Sequence, residues 1–250
     1  MSDSTASNSE AGNSETGNSR ARIFASLRRG LGETANDDIR HTAVAARIAN
    51  HPRNRIPLRA QLPHAEQVAL FVAKAEALTV SIDSVAGEAD VPARIADYLT
   101  RHNLPAHLRV APDPLLQNLP WSERPMLQVE YGPGRSQDLV SVTPAFAGIA
   151  ETGTLMLHSS PATPTTLHFV PDHHIVVMRE SQITGTLEEA FERLRQKLGS
   201  VENWPRTVNF VSGPSRTADI EGVPVLGAHG PRRLHIVLIS DGTAPLQGQA

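Results

Sequence analysis

The chain has 250 residues, 23 basic and 26 acidic side chains, a net charge of −3 and 40% hydrophobic residues. That is enough chain and apolar material for one sizeable α/β domain or two small ones. The balanced charge, with no Lys/Arg cluster interleaved with aromatics, argues against nucleic-acid binding. With no cysteine, the chain holds no disulfide, thiolate zinc site, cysteine nucleophile or cysteine-ligated iron–sulfur cluster.

Residues 1–19 are Ser, Asn, Gly, Thr and Glu with almost nothing to bury, so a disordered tail is expected there. They contain no apolar signal core. The longest apolar stretches, such as Leu234–Ile239, fall far short of the roughly 20 residues that span a bilayer. The expectation is a soluble cytoplasmic protein. An amphipathic helix is predicted from Ser19, with Ile23, Phe24, Leu27 and Leu31 on one side. Arg20, Arg22, Arg28 and Arg29 border that side, and Gly30 and Gly32 end it. Such a helix docks either on its own domain or on a partner subunit. Residues 33–60 read as an extended arm, so helix and arm together occupy 20–60 and the main domain runs over 61–250.

From Pro63 onward helix and strand alternate. Val68, Phe71, Val72 and Ala75 keep helical spacing, and a strand-like segment follows at Thr79–Ile82. Asp90 is placed to cap a helix with Pro92 in its first turn and Ile95, Tyr98 and Leu99 inward. Segments 108–111, 126–131, 139–142, 154–158 and 175–178 read as strands. Thr186 and Glu189 form a capping box for a helix that turns Leu187, Ala190, Phe191, Leu194 and Leu198 inward and stops at Gly199. Segments 208–211 and 234–239 complete the strands. Several of them are continuously apolar, which suits strands buried on both faces. The fold class expected is α/β, a mostly parallel sheet with helices on both faces and an N-terminal helical arm.

Three loops carry the candidate chemistry. In an open parallel sheet, ligands bind in the crevice beyond the carboxyl ends of the strands. The loop Ser212, Gly213, Pro214, Ser215, Arg216 and Thr217, continuing to Asp219 and Glu221, follows the apolar run 208–211 and is expected at such an end. Gly213 lets the chain turn, Arg216 supplies a charged fork, and a helix start near Thr217 would favour an anion. A turn in which Ser215, Thr217 and Asp219 satisfy their own backbone is the alternative. Gly227, His229, Gly230 and Arg232 form a second loop that faces a ligand or makes a tight turn; a solvated role is favoured for Arg233. In the third, Glu151 precedes Thr152, Gly153 and Thr154. A desolvated carboxylate there acts as base or nucleophile; otherwise it binds loop amides. His173 and His174, beside Asp172, lack further ligands at metal-binding spacing, and no metal site is expected.

These loops also carry a likeness. The segments AGIAETGTLML, HHIVVM, FVSGPSRTADIE and VLGAHGPRRLHIVLI together resemble the LUD domain of the LutC/YkgG family, the lactate utilization protein C group. The similarity runs from about residue 60 to 240. The resemblance implies a NagB/RpiA/CoA transferase-like fold. It also implies a role in growth on L-lactate, which is oxidised to pyruvate, beside partner subunits that carry iron–sulfur clusters. A chain without cysteine fits that division of labour, as an accessory or substrate-handling, non-redox subunit that binds no cofactor itself. Two other readings stay open. One is a stand-alone acyl-CoA or phosphosugar transferase or isomerase with Glu151 as its reactive carboxylate. The other is a regulatory module that binds a small carboxylate.

Overall fold

The computed structural model describes residues 12–31, 37–217 and 225–241. Contacts divide the chain into two units, Met1–Arg53 and Asn54–Ala250. In the first, α1 spans Gly12–Leu31 and α2 spans Asp37–Asn50. The helix thus begins seven residues before the expected Ser19, and residues 12–19 of the tail expected to be disordered are helical instead. The disorder expected of residues 1–11 lies outside the described residues. Where an extended arm was expected, α2 is helical. Its apolar residues Ile39, Val44 and Ile48 follow no clean helical stripe, and all three are exposed.

The second unit is built on six parallel strands. These are β1 (Ser81–Val85), β2 (His107–Val110), β3 (Gln128–Tyr131), β4 (Val140–Pro144), β7 (His173–Arg179) and β12 (Arg233–Ile239), in the spatial order β1-β12-β7-β4-β2-β3. The remaining strands are β5 (Ala147–Ile149), β6 (Thr154–His158), β8 (Ile183–Thr184), β9 (Val208–Val211), β10 (Arg216–Thr217) and β11 (Val225–Leu226). Helices α3 (His64–Ala77), α4 (Val91–Arg101), α5 (Pro114–Gln117), α6 (Thr166–Phe169) and α7 (Leu187–Leu198) complete the elements used below.

Alternation along the central strands assigns the two faces. Ile175 and Val177 of β7 and Val237 and Ile239 of β12 meet Ile95, Tyr98 and Leu99 of α4, with Leu116 and Leu167 from α5 and α6. Val176 and Met178, with Ile236 and Leu238, turn the other way onto Val68, Phe71 and Ala75 of α3. The mostly parallel sheet with helices on both faces is therefore present. One layer was not expected: a second, four-stranded sheet, β8-β5-β6-β9, shares that face with α3. Its Leu155 and Leu157 join the central core, while Met156 faces outward onto Ala190 and Leu194 of α7.

This second sheet corrects one expectation. Val208–Val211 is not a strand buried in the parallel sheet but an edge strand, antiparallel to β6 and half exposed. A short apolar run does not by itself distinguish the two cases. The α7 cap is half as expected. The Thr186 hydroxyl accepts from the Glu189 amide at 3.2 Å, but the Glu189 carboxylate accepts from Gly185 N–H at 2.8 Å. No helix among the described residues is long and apolar enough to cross a membrane.

Candidate functional site

All six central strands are parallel, so their amino ends share one rim and their carboxyl ends the other. The three candidate loops converge, and they do so at the amino rim. Gly213 sits at φ +87°, with its Cα against the carbonyl of Leu78 between α3 and β1. Gly153, at φ +67°, abuts the backbone of Lys74 and Ala75 in the last turn of α3. A hydroxyl chain ties these two loops: Thr152 donates to Thr154 at 2.8 Å, and Thr154 and Ser212 share a hydrogen bond of 2.7 Å. Ser215 ties the first loop to the second. Its amide donates to Pro231 at 2.8 Å, its carbonyl accepts from Gly227 N–H at 3.1 Å, and its hydroxyl accepts from His229 N–H at 3.2 Å. Gly230 lies against Phe169 and Ser215.

The helix start expected at Thr217 is instead a strand, since Arg216 and Thr217 pair with Leu226 and Val225. Asp219 and Glu221 lie outside the described residues. Glu151 accepts a hydrogen bond from Leu187 N–H at 2.9 Å, so its carboxylate holds the first turn of α7. Negative charge is favourable at a helix N-terminus, and the sequence alternative of a Glu bound to an amide is the arrangement found.

Between the first two loops lies a cavity of about 500 Å³ lined by Thr79, Asp172, His173 and Leu226 together with Arg216, Arg232 and Arg233; Glu151, Thr152, Gly153 and Thr154 do not line it. Arg216 donates to the Thr79 hydroxyl. Arg232 pairs with Asp172 at 3.3 Å, and its side chain runs past Gly227, where a Cβ would collide with it. Arg233 has no carboxylate partner among the described residues. Three guanidinium groups thus face one carboxylate. The C-termini of α3 and α4 end near this rim and each presents roughly half a negative charge. Full charges on the arginines outweigh them, so the described residues lining the cavity carry net positive charge.

His173 forms one wall and leads to a histidine and tyrosine cluster. Its Nδ1 is 2.9 Å from the Tyr98 hydroxyl, and Tyr98 stacks on His235 with ring centroids 4.4 Å apart. Burial, then the charges of His102 and Arg233, push the His173 imidazole down to about 4, so it is neutral at pH 7. Burial likewise raises the Tyr98 phenol to about 12, and it stays protonated. His235 pairs through Nδ1 with Ser81 at 2.8 Å. His174, next in sequence, points to the opposite face and shares a 2.7 Å hydrogen bond with Thr143. No group of three or more metal-ligating side chains gathers among the described residues.

The carboxyl rim has its own crevice, of about 560 Å³, beside β4 and β2, where the strand order reverses and ligands bind in many open α/β sheets. Several of its polar groups are engaged, while Lys197 lies over the Phe146 ring with no carboxylate partner among the described residues. Arg179 bonds to Glu88 and lies 3.6 Å from Asp241. Gln182 accepts from Arg179 N–H and donates to Ala145 O, both at 2.7 Å. Asp113 caps α5 through Leu115 N–H at 3.0 Å. Among the described residues the amino rim gathers three guanidinium groups against one carboxylate, whereas the carboxyl-rim crevice sets Arg179 and Lys197 against Glu88 and Asp113, so the amino rim has the larger excess of positive charge.

Sequence reasoning did not assign Thr79, Asp172, His173 or Arg233 to a site. Asp172 and His173 were weighed only as metal ligands. No local signal identifies Thr79, whose partner Arg216 is 137 positions away.

Comparison with known proteins points the same way as the loop motifs. Residues 139–239 match the LUD domain family. YkgG of Escherichia coli is 35% identical over 105 residues, 42% of this chain and 46% of that protein. Lactate utilization protein C of Deinococcus radiodurans is 38% identical over 99 residues, 39% of this chain and 45% of that protein. The chain thus matches less than half the length of these relatives. A crystal structure of a DUF162 family protein from Deinococcus radiodurans superposes with a TM-score of 0.55 and 26% identity, covering 71% of this chain and 99% of that one. Residues 139–239, which contain most of the amino-rim site, match the LUD domain family, and over that span the chain is similar to the LutC/YkgG proteins that its motifs resemble.

Proposed function

We propose that this chain acts in lactate utilization as a non-redox subunit that binds a small organic anion at the amino rim. The observation that carries the reading is the cavity in which Arg216, Arg232 and Arg233 face the single carboxylate of Asp172 among the described residues. Guanidinium forks hold carboxylates through paired, charge-assisted hydrogen bonds. Two similarities support the pathway: a relative named lactate utilization protein C, and a LUD domain match that spans the loops building the cavity. With no cysteine of its own, the chain leaves electron transfer to cluster-bearing partners, and its task is to hold the substrate or product. Glu151 supports the stand-alone transferase reading less well, because its carboxylate is committed to α7.

The test is ligand-dependent melting with L-lactate, pyruvate and inorganic phosphate. A ligand at 100 times its Kd stabilises the fold by about 2.7 kcal/mol, roughly 5–10 °C for a domain of this size. Arg216→Ala and Arg233→Ala each remove a charged hydrogen bond worth about 1.5–3 kcal/mol, or roughly 10–150-fold in affinity. Flat melting curves with all three anions overturn the binding role. Co-purification with iron–sulfur proteins from cells grown on L-lactate tests the partnership separately.

A further inference from the structure

We infer that the amino-rim site recognises 2-hydroxy and 2-keto acids as a class, with His173 donating a hydrogen bond from Nε2 to the oxygen on C2 while the arginines hold the carboxylate. Tyr98 is the positioning residue that makes His173 a donor. The inference rests on the anion-binding role proposed above and goes further by assigning the second half of the ligand.

The argument starts from the proton on Tyr98. Tyr98 is buried, and its hydroxyl has one hydrogen-bond partner among the described residues, Nδ1 of His173 at 2.9 Å. A buried phenol places its proton on an acceptor when one is in reach. Nδ1 is therefore the acceptor, and the neutral ring carries its proton on Nε2. The surroundings hold the two partners together. The residue is anchored at the start of β7 by its backbone N–H, which donates to Leu139 O at 3.0 Å, and the Tyr98 partner is clamped between the rings of His102 and His235, each with centroids 4.4 Å away. The cavity that His173 lines is the one lined by the arginines. The site thus offers a strongly charged fork and, beside it, a fixed neutral donor. A carboxylate alone satisfies only the first. An oxygen on the adjacent carbon, whether hydroxyl or keto, accepts from the second.

The experiment compares L-lactate, pyruvate and propionate by calorimetry on the full chain. Propionate keeps the carboxylate and lacks the C2 oxygen. Lactate and pyruvate are expected to bind about fivefold tighter than propionate, the value of one neutral hydrogen bond. His173→Phe, which keeps a ring but no donor, should bring the ratio to about one. His173→Gln, whose amide places a donor near the Nε2 position, should restore part of it. Tyr98→Phe leaves the tautomer unassigned, so the lactate-to-propionate ratio should fall while propionate affinity is unchanged; a purely structural role for Tyr98 would weaken all three acids alike. If wild-type protein binds lactate and propionate equally, and Arg216→Ala and Arg233→Ala weaken both, the role of His173 is overturned and the anion site stands. If none of the three acids binds, both fall together.

Discussion

Gly213→Ala and Gly153→Ala test whether the site is held in place by close backbone approach. Both glycines have left-handed φ, +87° and +67°. An added Cβ would lie 2.7 Å from Leu78 O at 213, and 2.5 Å from Ala75 N at 153. A left-handed alanine costs about 1–2 kcal/mol, and forcing the loop off the backbone of α3 adds an overpacking cost of about 1–3 kcal/mol. Each variant should lose about 2–5 kcal/mol in urea unfolding. Gly230→Ala is the control in the same site. Its Cβ would meet Phe169 at 3.5 Å and Ser215 at 3.7 Å, ordinary contact distances, and no left-handed strain applies. It should fall within about 0.5 kcal/mol of wild type. The displaced loop carries Arg216, so Gly213→Ala should also weaken lactate binding, whereas Gly230→Ala should not. Equal stability of Gly213→Ala and Gly230→Ala would falsify the reasoning, because then α3 does not set the position of the loop.

Other consequences are open to direct measurement. Arg109 is buried and forms a fork on Asp138, with contacts of 2.9 and 3.3 Å, and a further contact to Glu130 at 2.7 Å. Arg109→Ala leaves the buried Asp138 carboxylate short of its partner and should cost about 3–5 kcal/mol by denaturant titration. Thr186→Ala removes the α7 cap and should cost about 1 kcal/mol, read as a lower urea midpoint with unchanged slope. His168 is buried with neither ring nitrogen hydrogen-bonded. Burial, then the charge of His158, holds it at about 4, below its unfolded value near 6.5. Its contribution is therefore complete above pH 6.5 and is lost as pH falls toward 4, about 3 kcal/mol in total. His168→Phe should flatten the loss of stability measured between pH 7 and pH 4.5; an unchanged slope rejects the assignment.

What could be read from sequence was local. The apolar spacing of Val68, Phe71 and Ala75, Pro92 at the start of α4, and Thr186 three residues before Glu189 each act within one or two turns, and each element is where they place it. The position of the site was not legible, for a tertiary reason. Whether Val208–Val211 joins the central sheet depends on its pairing with β6, some 50 residues earlier, and the choice moves the following loop from one rim to the other. His173 and His174 show the same limit. Alternation along β7 sends them to opposite faces, but only Tyr98, 75 positions away, distinguishes the donor from its neighbour. The convergence of all three loops was carried by their motifs as a set. No single loop contains the hydroxyl chain from Thr152 to Ser212.

The order of the strands bears on when such a site comes into being. Within the six-stranded sheet β1 has one neighbour, β12, and the two are separated by about 150 residues of chain. During synthesis β1 must therefore wait, unpaired, until the roughly 150 residues up to β12 have emerged, which makes its pairing a slow event. Arg232 and Arg233 arrive with that final strand, while Thr79 immediately precedes the first. Competence to hold a ligand is thus acquired only once β12 is in place, and a chain cut before that strand cannot offer a partial version of it.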